Sequence, residues 1–228
     1  MGFLSIHRYI LDVMSKNYLR SKIKNLAGNV PESISNENID QFIVLLGELY
    51  KWNQKFNLTS IRNLDDMIAG HLMDSLSAHP YIKGDSVVDI GTGAGFPGLP
   101  LAIINQNVNY LLVDSNGKKI GFINHIINLL EIKNVKTKKI RIENFFPDQV
   151  FDTVIARALS SLPNLIKLSQ HLLKEEGVLI AMKGKHPSDE LKLIDDSWAT
   201  DVREVSVECM SDKHRHIILL HKKEGSKL

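Results

Sequence analysis

The sequence predicts an α/β fold, with a mostly parallel, doubly wound sheet of seven strands closed by an antiparallel C-terminal hairpin. Three observations carry that prediction. Residues 86–183 alternate short apolar runs with segments of helical period, the pattern of parallel strands joined by crossover helices. A glycine-rich turn follows the first of those runs, in VVDIGTGAGFPGLPLAI at 87–103. Before residue 81 the apolar spacing is helical throughout, which places a helical region at 1–80 ahead of one core unit at 81–228.

The elements follow in order. Phe3, Ile6, Ile10 and Val13, then Leu19, Ile23 and Leu26, set one amphipathic helix over 3–28. Gly28, Pro31 and the polar run SISNEN break it, and Ser35 is placed to cap the next helix with Glu37 and Asp40 in its first turn. Ile39, Phe42, Ile43, Leu46 and Leu49 carry that helix's apolar face, and a third helix is expected over 65–79. Strands are expected at 86–90, 109–114, 134–140, 152–158 and 177–183, with helices at 98–105, 116–131 and 162–174. Pro97 and Pro100 both fall in the first turn of the 98–105 helix, so its regular part is expected to begin late. REVSVEC and HRHIILLHKK read as a closing hairpin.

Composition narrows the function classes. At 228 residues, with one cysteine (Cys209), the chain has no disulfide framework and no cysteine-based zinc site. Its N-terminus lacks the apolar stretch of a secretory signal, Ile6 breaks a myristoylation pattern, and no run approaches the ~20 apolar residues of a membrane span. A cytoplasmic protein without a membrane partner is expected. The net charge of +2 decides little, but basic residues cluster at 8–24, 133–141 and 213–227. Such clusters suit a phosphate backbone and equally suit a solvated surface.

The glycine turn separates two adenosine cofactors. A dinucleotide fingerprint needs its first glycine directly after the strand, and from Gly91 the third glycine would fall at Phe96. Starting instead at Gly93 lengthens the turn by two residues. Asp89, at the carboxyl end of the first strand, would repel a pyrophosphate but suits the ammonium and sulfonium of S-adenosylmethionine. It would also serve as a turn residue accepting backbone N–H groups. Asp114 ends the second strand, where a carboxylate can take ribose hydroxyls of either cofactor.

The acceptor is approached by elimination. No Asn/Asp-Pro-Pro-aromatic loop for an exocyclic amine follows the fourth strand, which reads IARALSSLPN. Cys209 lies far from the glycine turn, against a cysteine nucleophile for carbon methylation. A ring nitrogen with a free lone pair, such as guanine N7, needs no general base, and the argument leaves the acceptor open at that point.

KWNQKFNLTSI, HLMDSL, DIGTGAGFPGLPLAI, VDSNGKKIGFI, RIENF, FDTVIARAL and AMKG, in this order over ~40–222, resemble the RsmG/GidB family. These are bacterial small-subunit rRNA guanine-N7 methyltransferases with a Rossmann-like, class I S-adenosylmethionine-dependent fold. The resemblance implies a guanine in the decoding-region loop of 16S rRNA as acceptor, 16S rRNA or a small-subunit particle as partner, a monomer, and no metal. It assigns cofactor contacts to Asp89, Gly91, Gly93, Phe96, Asp114, Ser115, Ile142, Glu143 and Arg157, the last also as an orienting residue. For substrate it suggests Asn57, Thr59, His71, Asp74 and Lys183. Each has a plainer reading: Asn57, Thr59 and Ser60 as caps of the following helix, His71 and Asp74 as a structural pair one helical turn apart, Ile142 as core, Lys183 as a strand-end lysine. An arginine on the apolar strand DTVIARA must find a partner, either a carboxylate such as Asp89 or Asp114, or a ligand. The chain departs from the family pattern at Gly70, where arginine is common, and at Ala156, where serine is. An NAD(P)-dependent oxidoreductase and a non-catalytic ribosome- or RNA-binding module are the competing classes.

Overall fold

In a computed structural model, residues 16–26, 34–207 and 214–223 are described. Helix α1 (16–26) packs beside α2 (Asn36–Phe56), which opens on a capping box: Ser35 Oγ accepts from Asn38 N–H while Asn38 Oδ1 accepts from Ser35 N–H. The helical segment α3 (64–76) begins at the cap Asn63 and contains a wide π turn at Ile68–Met73. The even apolar spacing of LDDMIAGHLMDSL gave no sign of that turn.

Strands β1 (Ser86–Ile90), β2 (Asn109–Asp114), β3 (Val135–Lys139), β4 (Phe151–Arg157), β5 (Leu173–Lys183), β6 (Trp198–Ser206) and β7 (His214–Lys222) form one sheet in the order 3-2-1-4-5-7-6. The first five strands are parallel, and β7 runs antiparallel to both β5 and β6. The expected seven-stranded architecture is therefore present. Helices α4 (Gly98–Ile104), α5 (Gly117–Leu129), α6 (Leu162–Ser169) and the single turn α7 (Ser188–Leu191) complete it.

Several boundaries differ from expectation for physical reasons. Helix α4 starts at Gly98 without delay, because Pro97 lies just before it and Pro100 sits in the first turn, where an N–H has no intrahelical partner to lose. The 162–174 segment stops being α-helical at Ser169, and Leu173 is already paired with Phe151 of β4. Strand β6 begins at Trp198, ahead of the apolar pattern, because a sheet edge leaves much of the strand exposed. The connection before β7, Cys209 and most of the expected first helix lie outside the described residues.

The helical region shares the core of one sheet face. Phe42, Leu46, Leu49, Leu72 and Leu76 are buried in one cluster with Phe122, Ile126, Ile155 and Ile180. Burying each such side chain is worth about 1.5–3 kcal/mol, so α2 and α3 are held as firmly as the sheet's own crossover helices. Trp52 meets Phe122 edge-on at 5.6 Å, and Glu48 pairs with His125 at 2.9 Å, fixing α2 on α5. Among the described residues no helix is long and apolar enough to cross a membrane.

Candidate active site

Strand order reverses between β1 and β4, and an open parallel sheet offers its ligand crevice at the carboxyl ends of such strands. The turn from β1 to α4 fills one side of that crevice. Gly91 has φ +67°, and a Cβ there would lie 2.6 Å from Leu159 Cδ1. Gly98 is required by contact instead: its Cβ would meet Leu112 Cδ2 at 2.1 Å and Asp89 Oδ2 at 2.8 Å.

Asp89 sits beneath this turn, fully buried. Its Oδ2 accepts from Thr92 Oγ1 at 2.6 Å and from the Gly98 N–H at 2.8 Å, so one oxygen closes the turn and caps α4. Its Oδ1 is buried without a partner among the described residues. Burial pushes the carboxyl up to about 6, against the opposing pull of those two hydrogen bonds and of Arg157. The turn-residue reading of Asp89 thus describes one of its oxygens and not the other.

Asp114 reaches the same turn from β2, its Oδ2 accepting from Gly93 N–H and its Oδ1 from Asn116 N–H. It borders a cavity of about 360 Å3 whose walls include Gly91, Ser115, Ile142, Glu143 and Arg157. Six of the nine expected cofactor residues therefore meet in one cavity. Gly93 and Asp89 shape its turn, and Phe96 is buried behind it, stacked on His71 with ring centroids 4.7 Å apart. Lys119 and Arg141 also line this cavity. Both lie within the quoted family stretches, but as cations their type and spacing carried no separate signal.

A second cavity, about 480 Å3, adjoins the first along Arg157 and Ala158. Arg157, Met182 and Ile217 occupy paired positions across β4, β5 and β7 and form its sheet wall. Gly70, Asp74 and Ser77 of the α3 region stand on the other side, and Lys183, Lys185 and Arg215 supply cations. Ala158, between the cavities, holds a left-handed backbone at φ 52°, an unusual conformation for a residue with a Cβ.

The partner of Arg157 is neither Asp89 nor Asp114. Its Nη1 donates to Asp74 Oδ2 at 2.9 Å and to Gly70 O at 2.8 Å, and its Nη2 donates to His71 Nδ1 at 3.1 Å. The π turn makes this possible: Asp74 N–H bonds to Ala69 O and His71 O, not to the Gly70 carbonyl four residues back. His71 Nε2 in turn lies 2.9 Å from Thr59 Oγ1. Burial, with Arg157 adding to it, lowers His71 to about 3, so the imidazole is neutral. Arg215 approaches the other oxygen of Asp74 at 3.4 Å.

The remaining expected substrate residues divide. Thr59 lines neither cavity and instead positions His71, itself pinned by its N–H to Asn53 Oδ1. Asn57 is the left-handed C-cap of the preceding helix α2; Asn63 caps the following one. Lys183 borders the second cavity, with its ammonium bound to Glu190 and Ser160 O. Arg215 was missed, since in HRHIILL it is simply the exposed partner of an alternating strand. A larger cavity of about 860 Å3 opens near Asp85, Asn109 and Lys133, at the amino ends of the strands and away from the glycine turn.

Comparison with known proteins gives the family. Residues 38–218 match the GidB family model, described as rRNA small subunit methyltransferase G. The chain belongs to the GidB family. Ribosomal RNA small subunit methyltransferase G of Legionella pneumophila is 46% identical over 178 residues, 78% of this chain and 84% of that protein. Its namesake from Idiomarina loihiensis is 37% identical over 206 residues, 90% of this chain and 100% of the relative. A SAM-dependent methyltransferase from Aquifex aeolicus superposes with a TM-score of 0.54 at 21% identity, over 73% of this chain and 98% of that one, a likeness of fold. Both motifs that bound the GidB site, the glycine turn and the α3 segment carrying His71 and Asp74, fall within the matched region.

Proposed function

We propose that this GidB protein transfers a methyl group from S-adenosylmethionine to N7 of a guanine in the decoding-region loop of 16S rRNA. The observation that carries the reading is the pair of cavities at the carboxyl edge of the sheet that adjoin along Arg157 and Ala158. The first is within the size range of small-molecule pockets and takes the cofactor. Asp114 would hold the ribose hydroxyls, Ile142 and Glu143 would flank the adenine, and the unpartnered Oδ1 of Asp89 suits the methionyl ammonium. The group supplies, when bound, an electrophilic methyl on a sulfonium.

The second cavity takes the acceptor base. A lone pair on N7 is already nucleophilic, and no proton leaves during transfer, so no residue here has to act as a base. The chain's contribution is to align the two ligands in direct contact where the cavities adjoin beside Arg157 and Ala158, and to keep water from between them. Lys185 and Arg215 at the second cavity supply charge for RNA phosphates.

A nicotinamide cofactor fits poorly for a specific reason. Its pyrophosphate would need the N-terminus of α4, where the Gly98 N–H is already bound by a buried carboxylate. Calorimetry with S-adenosylmethionine and NADH should give binding for the first alone; the reverse result would sink the reading. Mass spectrometry of 16S rRNA from cells with and without the gene should show one guanine losing a methyl, which a purified protein and labelled cofactor restore. An unchanged pattern would instead favour a non-catalytic RNA-binding module.

A further inference from the structure

We propose that Arg157 selects guanine over adenine by donating to O6 beside the methylated nitrogen, and that His71 positions the guanidinium for this contact. The inference rests on the acceptor reading above and names what recognises the base.

A guanidinium carries five N–H groups and accepts nothing. Two contacts from Nη1 and one from Nη2 account for three of them in Arg157. The Nε–H and one Nη2–H have no hydrogen-bond partner among the described residues, and Nε and Nη2 share one edge of the fork. Arg157 lines both cavities, and Gly70 and Asp74, which hold Nη1, line the second alone, so the head is reachable from the acceptor cavity. Its side chain is only 18% exposed, so the head is largely out of bulk water.

On the edge of a purine that bears N7, the neighbouring group is the O6 acceptor in guanine and an amino donor in adenine. During transfer the N7 lone pair becomes the new N–CH3 bond as the S–CH3 bond breaks, and the positive charge passes from sulfur to the purine. Donors placed beside N7 must therefore engage O6, which has two lone pairs to offer. Against adenine the same donors would face N–H groups, a repulsive mismatch that discriminates without any added contact. A bare cation there would oppose charge building on the purine, but Asp74 at 2.9 Å offsets it.

His71 sets the orientation by three constraints. Arginine only donates, so Nδ1 must accept, and a neutral ring then carries its proton on Nε2, toward Thr59 Oγ1. Stacking on Phe96 fixes the ring plane. An imidazolium would present N–H to N–H and push Arg157 away, and burial prevents it from forming.

The test uses small-subunit particles assembled with ligated 16S RNA carrying guanine, hypoxanthine or 2-aminopurine at the position the wild-type protein methylates. Hypoxanthine keeps O6 and N7, whereas 2-aminopurine keeps N7 and loses O6. Single-turnover transfer by the wild type should be within about threefold on guanine and hypoxanthine and roughly 30–100-fold slower on 2-aminopurine. Arg157→Met should shrink the guanine to 2-aminopurine ratio by at least about tenfold, a comparison in which intrinsic N7 reactivity cancels. His71→Phe, which keeps a ring on Phe96, should shrink the same ratio with cofactor affinity unchanged, and His71→Asn, whose amide oxygen can take the place of Nδ1, should recover much of it. Equal wild-type rates on guanine and 2-aminopurine, or an unchanged ratio in Arg157→Met, would overturn the selection. A uniform slowing in His71→Phe with the ratio intact would overturn the positioning role. The purine series needs no variant to fold, and absence of transfer to guanine itself would indict the proposed function instead.

Discussion

The two cavities are built by opposite means. The first is bounded mainly by the ends of successive strands and the turns that follow them, with Asp114 and Asp89 binding backbone N–H groups of the same or the next turn. The second draws Gly70, Asp74, Arg157, Lys183 and Arg215 from four distant segments and holds them by side-chain contacts. A backbone cradle fixes where a cofactor lies whatever surrounds it. A side-chain lattice fixes donors only as well as its weakest partner, so loss of one group should spread through the second cavity and stay local in the first.

Asp74→Ala tests that contrast at its largest. It leaves Arg157 and Arg215 without their carboxylate in a mostly buried setting, at an expected cost of about 3–5 kcal/mol in denaturant unfolding. Methyl transfer should fall sharply while cofactor affinity of the folded protein stays within about twofold; a parallel loss of both would show that the cavities are not separable.

Asp89→Asn probes the first cavity through pH. The folded protein holds this carboxyl at about 6 against 3.8 ordinarily, so it binds the proton more tightly than the unfolded chain does. The associated stability is present at low pH and is lost as pH rises from about 4 to 6, a change of ~3 kcal/mol. The variant lacks it. Relative to wild type, Asp89→Asn should gain stability between pH 4 and 7 while binding cofactor more weakly; parallel unfolding curves at both pH values would contradict the assignment.

The smallest effect is expected from Asp114→Asn, which removes the charge and, because both carboxylate oxygens accept backbone N–H groups, loosens one of those two contacts. Calorimetry should show about tenfold weaker cofactor binding, with RNA affinity unchanged. A change in RNA affinity would mean that the first cavity reaches the acceptor after all.

The same contrast explains what could be read from the sequence. Strands β1, β2, β4 and β5 are apolar runs between turn residues, and the turn chemistry of the first cavity lies within a few residues of them, so the glycine turn at Gly91 and the strand-end Asp114 were legible by position, whereas Ser115, Ile142 and Glu143 came from the family resemblance. The second cavity depends on which distant segments meet. Nothing local in HLMDSL says that His71 and Asp74 will hold Arg157, and Asp89 or Asp114 looked equally available. Arg215 stood out only as one member of the basic cluster at 213–227, and Lys185 carried no signal of its own. Thr59 was noticed as a cap or a substrate contact but not as the partner of His71, because His71 is twelve residues away and is brought near by the fold.

The π turn at Ile68–Met73 makes the length of α3 a functional quantity. It accommodates an extra residue in an otherwise α-helical segment, and each residue of an α-helix advances the next by about 100°. Removing one residue there would let the ladder close as an ordinary helix, reclaim the Gly70 carbonyl and swing Asp74 away from β4. Substitution within this segment alters one contact with Arg157, whereas deletion rotates all of them at once.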